Sequence, residues 1–303
     1  MRPRLGSGQG LGPGLGFALA VGLATAVDAD TALDCRELET IFAAVTGYSL
    51  TLPPAPNVAA WCVADDAVLR AEGGPLITVD RLQLAGTGVD GNPDSLSLDI
   101  KGLRVMPELR DRSMDPRLRE ALRLQSLDMS LTLRKAAGLD GLELRAGVIA
   151  LSGGTEVRVE ADLAGAGFAA ESLPLSLLTA LDLEWRTDGR LLRPLLEALG
   201  EGLQADATGD EAMAAARRGL VAVIGNLPED ALTGDTAKEL AALVNDLPQG
   251  RGRMLLTLDA EGGIGAARLA VAALSDDPTG RAALARLFAG TTLSLDWQAG
   301  VGP

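Results

Sequence analysis

The residues able to do chemistry are few, and what is missing narrows the chemistry most. The 303 residues include no histidine. That removes Ser-His-Asp and Cys-His catalysis, histidine-ligated zinc and the usual general base. None of the three lysines, Lys101, Lys135 and Lys238, has a serine three residues before it, so the Ser-x-x-Lys arrangement is missing too. Any catalysis would rest on carboxylates or arginines. Asp65-Asp66 and Asp276-Asp277 are adjacent acid pairs, but among 41 acidic residues some must be neighbours, and solvated loop or helix cap is the better reading. Arg190 and Arg193 could recognise a carboxylate or phosphate; in so acidic a chain, single surface arginines are expected in salt bridges instead. We therefore expect no catalytic residue set, no metal site, no cofactor-binding residues and no cofactor.

Two motifs fail on context. Gly86-Thr87-Gly88-Val89-Asp90-Gly91 has the glycine spacing of a dinucleotide fingerprint, which requires a following helix whose N-terminus holds the pyrophosphate. A strand-like run, Leu96 to Ile100, follows instead, so the glycines read as a hairpin loop. Asp90-Gly91-Asn92-Pro93-Asp94 resembles the start of a calcium loop. Its sixth position is Ser95 where glycine belongs and its twelfth is Lys101 where a bidentate Glu belongs, so a turn is expected.

Cys35 and Cys62 are the only cysteines. In an oxidising compartment an even count favours a bridge, with two buried free thiols as the alternative. Closing such a loop stabilises a fold by roughly 3–4 kcal/mol in the chain-entropy picture. The bridge would tie a helix carrying Leu38, Ile41 and Phe42 to a strand beginning at Trp61, across Pro53-Pro54-Ala55-Pro56.

That compartment follows from the N-terminus. Arg2 and Arg4 precede an apolar stretch of 12 residues, Leu15 to Ala26, ending in the small residues Ala24-Thr25-Ala26. This is the pattern of a cleavable export signal over residues 1–26, with Ala29 as the second cleavage choice. The stretch is shorter than the about 20 residues that span a bilayer, and no later segment reaches that length, so the mature chain is expected not to span a membrane. The expected location is periplasmic or secreted. A lipid on Cys35 is disfavoured because Leu33-Asp34 sets an acid where a small residue belongs.

The formal charge is −14. So acidic a surface repels phosphate backbones at long range, which argues against nucleic acid as a partner. Apolar residues make up 47% but aromatics only 3%, so the core must be built from Leu, Val, Ile and Ala.

Those residues are arranged with period 2. Leu96, Leu98 and Ile100 alternate with polar residues, as do Leu127, Met129, Leu131 and Leu133. The same holds for Val157, Val159, Ala161 and Leu163, for Leu181, Leu183 and Trp185, and for Leu293, Leu295 and Trp297. Such alternation puts one face in a core and the other in water, which antiparallel sheets tolerate. Asp115-Pro116 and Asp277-Pro278 each place a capping carboxylate before a proline suited to the first helical position. Each leads into a strand, so a β-β-α-β unit used twice is expected. Between the units, Thr208-Gly209-Asp210-Glu211 and Thr236-Ala237-Lys238-Glu239 have capping-box spacing and open two amphipathic helices that stop before Pro228 and Pro248.

The expected fold is therefore α+β: a predominantly antiparallel sheet with one solvated face, helices on the other, and a helical insertion. Its expected segments are a disulfide-stapled stretch 27–75, a first sheet part 76–188, the insertion 189–248 and a second sheet part 249–303. Small side chains near Val159, Ala161 and Val271 would leave space between the layers.

Trp61-Cys62-Val63, Trp185-Arg186-Thr187-Asp188-Gly189-Arg190-Leu191-Leu192 and Gly250-Arg251-Gly252-Arg253 leading to Gly263-Ile264-Gly265-Ala266-Ala267-Arg268-Leu269 resemble an uncharacterised family. Its members are predicted periplasmic proteins of GC-rich Gram-negative bacteria; the resemblance implies a location and no activity. The function expected is non-catalytic binding or envelope assembly, with an apolar small molecule or another envelope protein as partner. A carboxylate-dependent hydrolase and a structural or inhibitory partner of an envelope protein are the alternatives.

Overall fold

The computed structural model describes residues 31–300 apart from 54–60, 72–75, 90–91, 107–124, 138–139, 170–171, 173–174, 190–191, 205, 249, 275–276 and 278. The export signal, Asp115-Pro116, Arg190 and Asp276 lie outside the described residues.

The alternating runs form strands of one open antiparallel sheet: β1 (Thr31–Ala32), β2 (Cys62–Leu69), β3 (Leu76–Val89), β4 (Asn92–Met106), β5 (Leu127–Lys135), β6 (Gly141–Leu151), β7 (Glu156–Ala164), β8 (Leu177–Thr187), β9 (Gly252–Gly265) and β10 (Thr291–Ala299). From β2 to β10 each strand pairs with the next in sequence. Both β1 and β2 use the outer edge of β3, β1 at Thr87–Gly88 and β2 at 77–84.

Register converts the alternation into rows. One row runs Leu96, Leu133, Leu144, Ala161, Leu181, Leu258, Leu293 across seven strands. A second runs Ile100, Met129, Ile149, Val157, Trp185, Met254, Trp297. Between them, Val159, Leu183, Leu256 and Leu295 continue the line begun by Leu84, Leu98 and Leu131, after a bulge in β6. Gly147 sits at that bulge, where a Cβ would stand 2.7 Å from Val159 Cγ1, so only glycine lets Val159 lie flat on the sheet.

Six α-helices accompany the sheet among the described residues: α1 (Cys35–Thr46), α2 (Leu192–Leu203), α3 (Asp210–Asn226), α4 (Thr236–Asp246), α5 (Ala266–Ala273) and α6 (Arg281–Leu287). A capping box starts α1: Asp34 accepts from the Arg36 and Glu37 amides, and Glu37 accepts from the Asp34 amide. Gly47, at φ 73°, ends it. Leu33, Cys35, Leu38 and Phe42 are buried against Leu82, Leu84 and Ile100. The Cys35–Cys62 disulfide, with Cα atoms 5.6 Å apart, joins the first turn of α1 to β2 as expected.

At the far side α2 and α3 stack on Trp185 through Leu192, Leu196, Met213 and Ala216. A third cluster, Leu258, Ala260 and Leu293, is closed by Leu232, Ile264 and Phe288.

Several expectations are corrected. The inserted region holds three α-helices and a 3-10 turn, Glu229–Ala231, not two helices. Neither expected capping box forms: α3 is preceded by Gly209 and α4 by Asp235, and neither makes a side-chain cap. Thr236 is drawn instead into bonds with β10, which satisfy its hydroxyl better than a helix end in water would. The helix expected to begin at Pro278 begins at Arg281, because Gly280 takes the cap position. The second unit has two helices before β10, since Ala266–Ala273 is helical, and this carries Val271 outward, 55% exposed, away from the layer space. Gly86 and Gly88 lie within β3, not in the hairpin loop.

Candidate apolar binding site

The apolar face is covered unevenly. Side chains on a bare sheet shield one another in part; only a covering layer takes them fully out of water. Leu82 and Ile100, under α1, and Leu258, Leu293 and Trp297, at the other side, are buried. Between them Met129, Leu131, Leu133, Leu144, Ile149, Val157, Val159, Leu181 and Leu183 remain half-buried. None of these strands' residues is a buried member of the three core clusters, although Leu142 and Ala161 are individually buried.

At the α1 side this face closes into a pocket of about 250 Å³. Leu38, Ile41, Phe42 and Val45, at helical intervals on α1, form one wall. Leu84, Leu96, Leu98, Met129, Leu131, Leu133 and Leu142 form the floor, and Gly167 and Phe168, from the β7–β8 connection, form the other wall. The Cys35–Cys62 disulfide fixes α1 at its start, and Ser49 pairs with Arg70 beyond its end, so the helix is held at both ends over the floor.

The lining offers hydrocarbon and little else. Its two hydroxyls are already engaged: Thr46 Oγ1 donates to the Phe42 carbonyl at 2.7 Å, and Ser97 Oγ shares a hydrogen bond with Thr132 Oγ1 at 3.2 Å. Both backbone groups of Gly167 bond to Ser172 Oγ at 2.8 Å. A pocket lined this way does not hold water well and accepts an apolar guest.

The charged residues are gathered on the opposite face in cross-strand ladders. Glu184 accepts from Arg253 Nε at 2.6 Å and from Arg186 Nε at 2.7 Å. The Arg253 bond, ahead of that from Arg186, holds the Glu184 carboxyl below its ordinary range despite partial burial. Arg104 grips Asp80 through both guanidinium nitrogens, and that bond lowers the Asp80 carboxyl too. Both shifts run away from neutrality, the wrong direction for a general base near pH 7. Lys101, Lys135 and Lys238 pair with Asp128, Asp94 and Asp235.

The sequence candidates find structural work. Asp65 and Asp66 sit in β2, where Asp66 takes φ 50° and Asp65 pairs with Arg81. Arg193 bridges Glu197 and Asp210, as expected of a surface arginine. Asp277 accepts from Thr279 Oγ1 ahead of α6. Three larger clefts are open to water and polar; one, of about 430 Å³, is edged by Asp230, Asp259 and Glu261. Among the described residues no three side chains are placed to hold a metal ion, and no helix is long and apolar enough to cross a membrane.

Leu96, Leu98, Met129, Leu131 and Leu133 were visible in the sequence as alternation and Leu38, Ile41 and Phe42 as a helix; Gly167 and Phe168 of the second wall were not. Which part of the face α1 would cover was not, because that depends on where β2 docks. No family model matches this chain, and no curated protein matches it in sequence.

Proposed function

We propose that this chain is an exported, non-catalytic binding protein whose ligand carries a hydrocarbon chain. The observation that carries the reading is the α1 pocket, whose hydroxyls are already bonded within the protein, so that it rewards apolar contact alone. Peptides or sugars placed there would lose hydrogen bonds to water without regaining them, at about 1–3 kcal/mol per buried group. The N-terminal pattern, the Cys35–Cys62 bridge and the resemblance to periplasmic proteins support export. Native mass spectrometry of gently purified protein, exposed to envelope extract, tests the reading: a hydrocarbon-bearing adduct is expected, and a bare polypeptide mass throughout would refute it.

A second reading, a structural partner of another envelope protein, draws on α2. Leu195, Leu199 and Leu203 recur every four residues along its outer side and are 52%, 43% and 57% exposed. A stable complex lost on Leu199→Arg would favour that role.

A further inference from the structure

The stripe that α1 lays against the pocket grades from sealed to wet. Leu38 is 1% exposed, Phe42 9% and Val45 37%. At the Leu38 end, Gly86 of β3 lets the layers close. A Cβ there would stand 3.0 Å from Leu38 Cδ2 and 2.9 Å from Leu96 Cδ2, and both leucines line the pocket. The pocket is therefore deep at Leu38 and has its mouth at Val45.

Phe168, in the second wall, comes from the β7–β8 connection, yet its backbone is pinned. Ser172 Oγ accepts from the Gly167 amide at 2.8 Å. It shares its own proton between the Gly167 and Ala169 carbonyls, at 2.8 and 2.7 Å. One hydroxyl thus ties the chain on both sides of Phe168 and sets the ring as a fixed wall.

Resting on the reading above, we propose that the pocket takes a single hydrocarbon chain of about ten carbons, tail toward Leu38 and head beyond Val45, and that Phe168 sets that size.

Volume gives the size. An apolar cavity of about 150 Å³ takes up one benzene, six carbons. On that scale the 250 Å³ here has room for about ten. The lining gives the class: Leu, Ile, Val, Met and Phe side chains reward each buried methylene by about fourfold in affinity. Burial along α1 gives the direction. A polar head would lose its water at the Leu38 end and keeps it at the Val45 end. Phe168 closes the volume with a ring the size of benzene, so removing that ring frees room for about six carbons more.

The test titrates the full mature chain with n-alkyl maltosides of six to fourteen carbons, each below its micelle concentration, and follows binding by native mass spectrometry. Affinity should rise about fourfold per methylene and level off near ten carbons. In Phe168→Ala the rise should continue to fourteen. Phe168→Leu should move the levelling point by about three carbons, and it decides the matter if Phe168→Ala does not fold. Ile41→Phe fills space from the α1 wall and should bring the levelling point down by about three carbons. An intact Cys35–Cys62 bridge and a cooperative melting transition certify each fold. A levelling point that the Phe168 variants leave in place, or a loss of affinity equal at every chain length, would overturn the role of Phe168. An unmutated chain whose affinity still climbs at fourteen carbons would overturn the size. Either result leaves the binding reading standing. Failure of the unmutated chain to hold a maltoside of any length would overturn the binding reading itself.

Discussion

Gly200 of α2 and Ala212 of α3 meet so closely that a Cβ on Gly200 would stand 1.7 Å from the Ala212 carbonyl oxygen. The two helices touch backbone to backbone at this point. Any side chain there must push them apart and loosen Leu196 and Met213 from Trp185.

Gly200→Ala should therefore destabilise the protein although alanine favours helices. Overpacking costs about 1–3 kcal/mol, against a helix-propensity gain of about 1 kcal/mol. Urea denaturation monitored by tryptophan fluorescence should show a lower midpoint. An unchanged or higher midpoint would mean that the helices are not in contact at this position.

Thr236 has a comparable role at the edge of the sheet. It is buried, its Oγ1 accepts from the Leu295 amide at 3.2 Å, and the Thr233 amide donates to the Leu293 carbonyl at 3.0 Å. Together they cover the free edge of β10. Thr236→Val keeps the shape and leaves the Leu295 amide without its partner, a cost of about 1–3 kcal/mol. Hydrogen exchange at Leu295 should accelerate, and association at high concentration should increase. Unaltered exchange would show that the edge is protected by other means.

The contrast between Thr236 and Leu131 shows what was legible in the sequence. Leu131 alternates with Ser130 and Thr132, so its strand and face follow from period alone. Thr236 also fits a local motif, but its partner is 59 residues away in β10, and no local pattern reports such a contact. The Asp34–Glu37 capping box, not among the sequence expectations, forms because nothing distant competes for those side chains. Helices α2, α5 and the start of α6 depend on what they pack against, and they were read least well. The pocket combines both cases: its floor strands and the α1 stripe are locally readable, while Phe168 and the hollow it closes depend on docking.

Acid should act on the Glu184 ladder. Its carboxyl is held below its ordinary value when folded, so this contribution is complete above the unfolded value of about 4.3 and is lost as pH falls through the lower folded one. Glu184→Gln should cost about 1–2 kcal/mol at pH 7 and flatten the pH dependence of stability below pH ~4.5. Parallel curves for the two proteins across that range would show that the ladder contributes nothing.

Export should leave a chemical signature. Protein recovered from the periplasm should begin at Val27 or Asp30 and weigh two hydrogens less than the reduced chain. An intact Met1 with two alkylatable thiols would contradict both points.

The succession of strands also sets an order of assembly. Because β2 to β10 are neighbours in space in the order in which they occur along the chain, each strand finds its template already made when synthesis delivers it. Contact order within the sheet is low for an all-antiparallel architecture, and such topologies fold quickly for their size. Growth proceeds from a single advancing edge. Cys35, Cys62 and the strands flooring the α1 pocket are delivered before the α2–α4 region, so the end with the pocket can be oxidised and shaped while the rest is still arriving. The last strand is then sealed by Thr233 and Thr236, residues delivered earlier, ahead of β9.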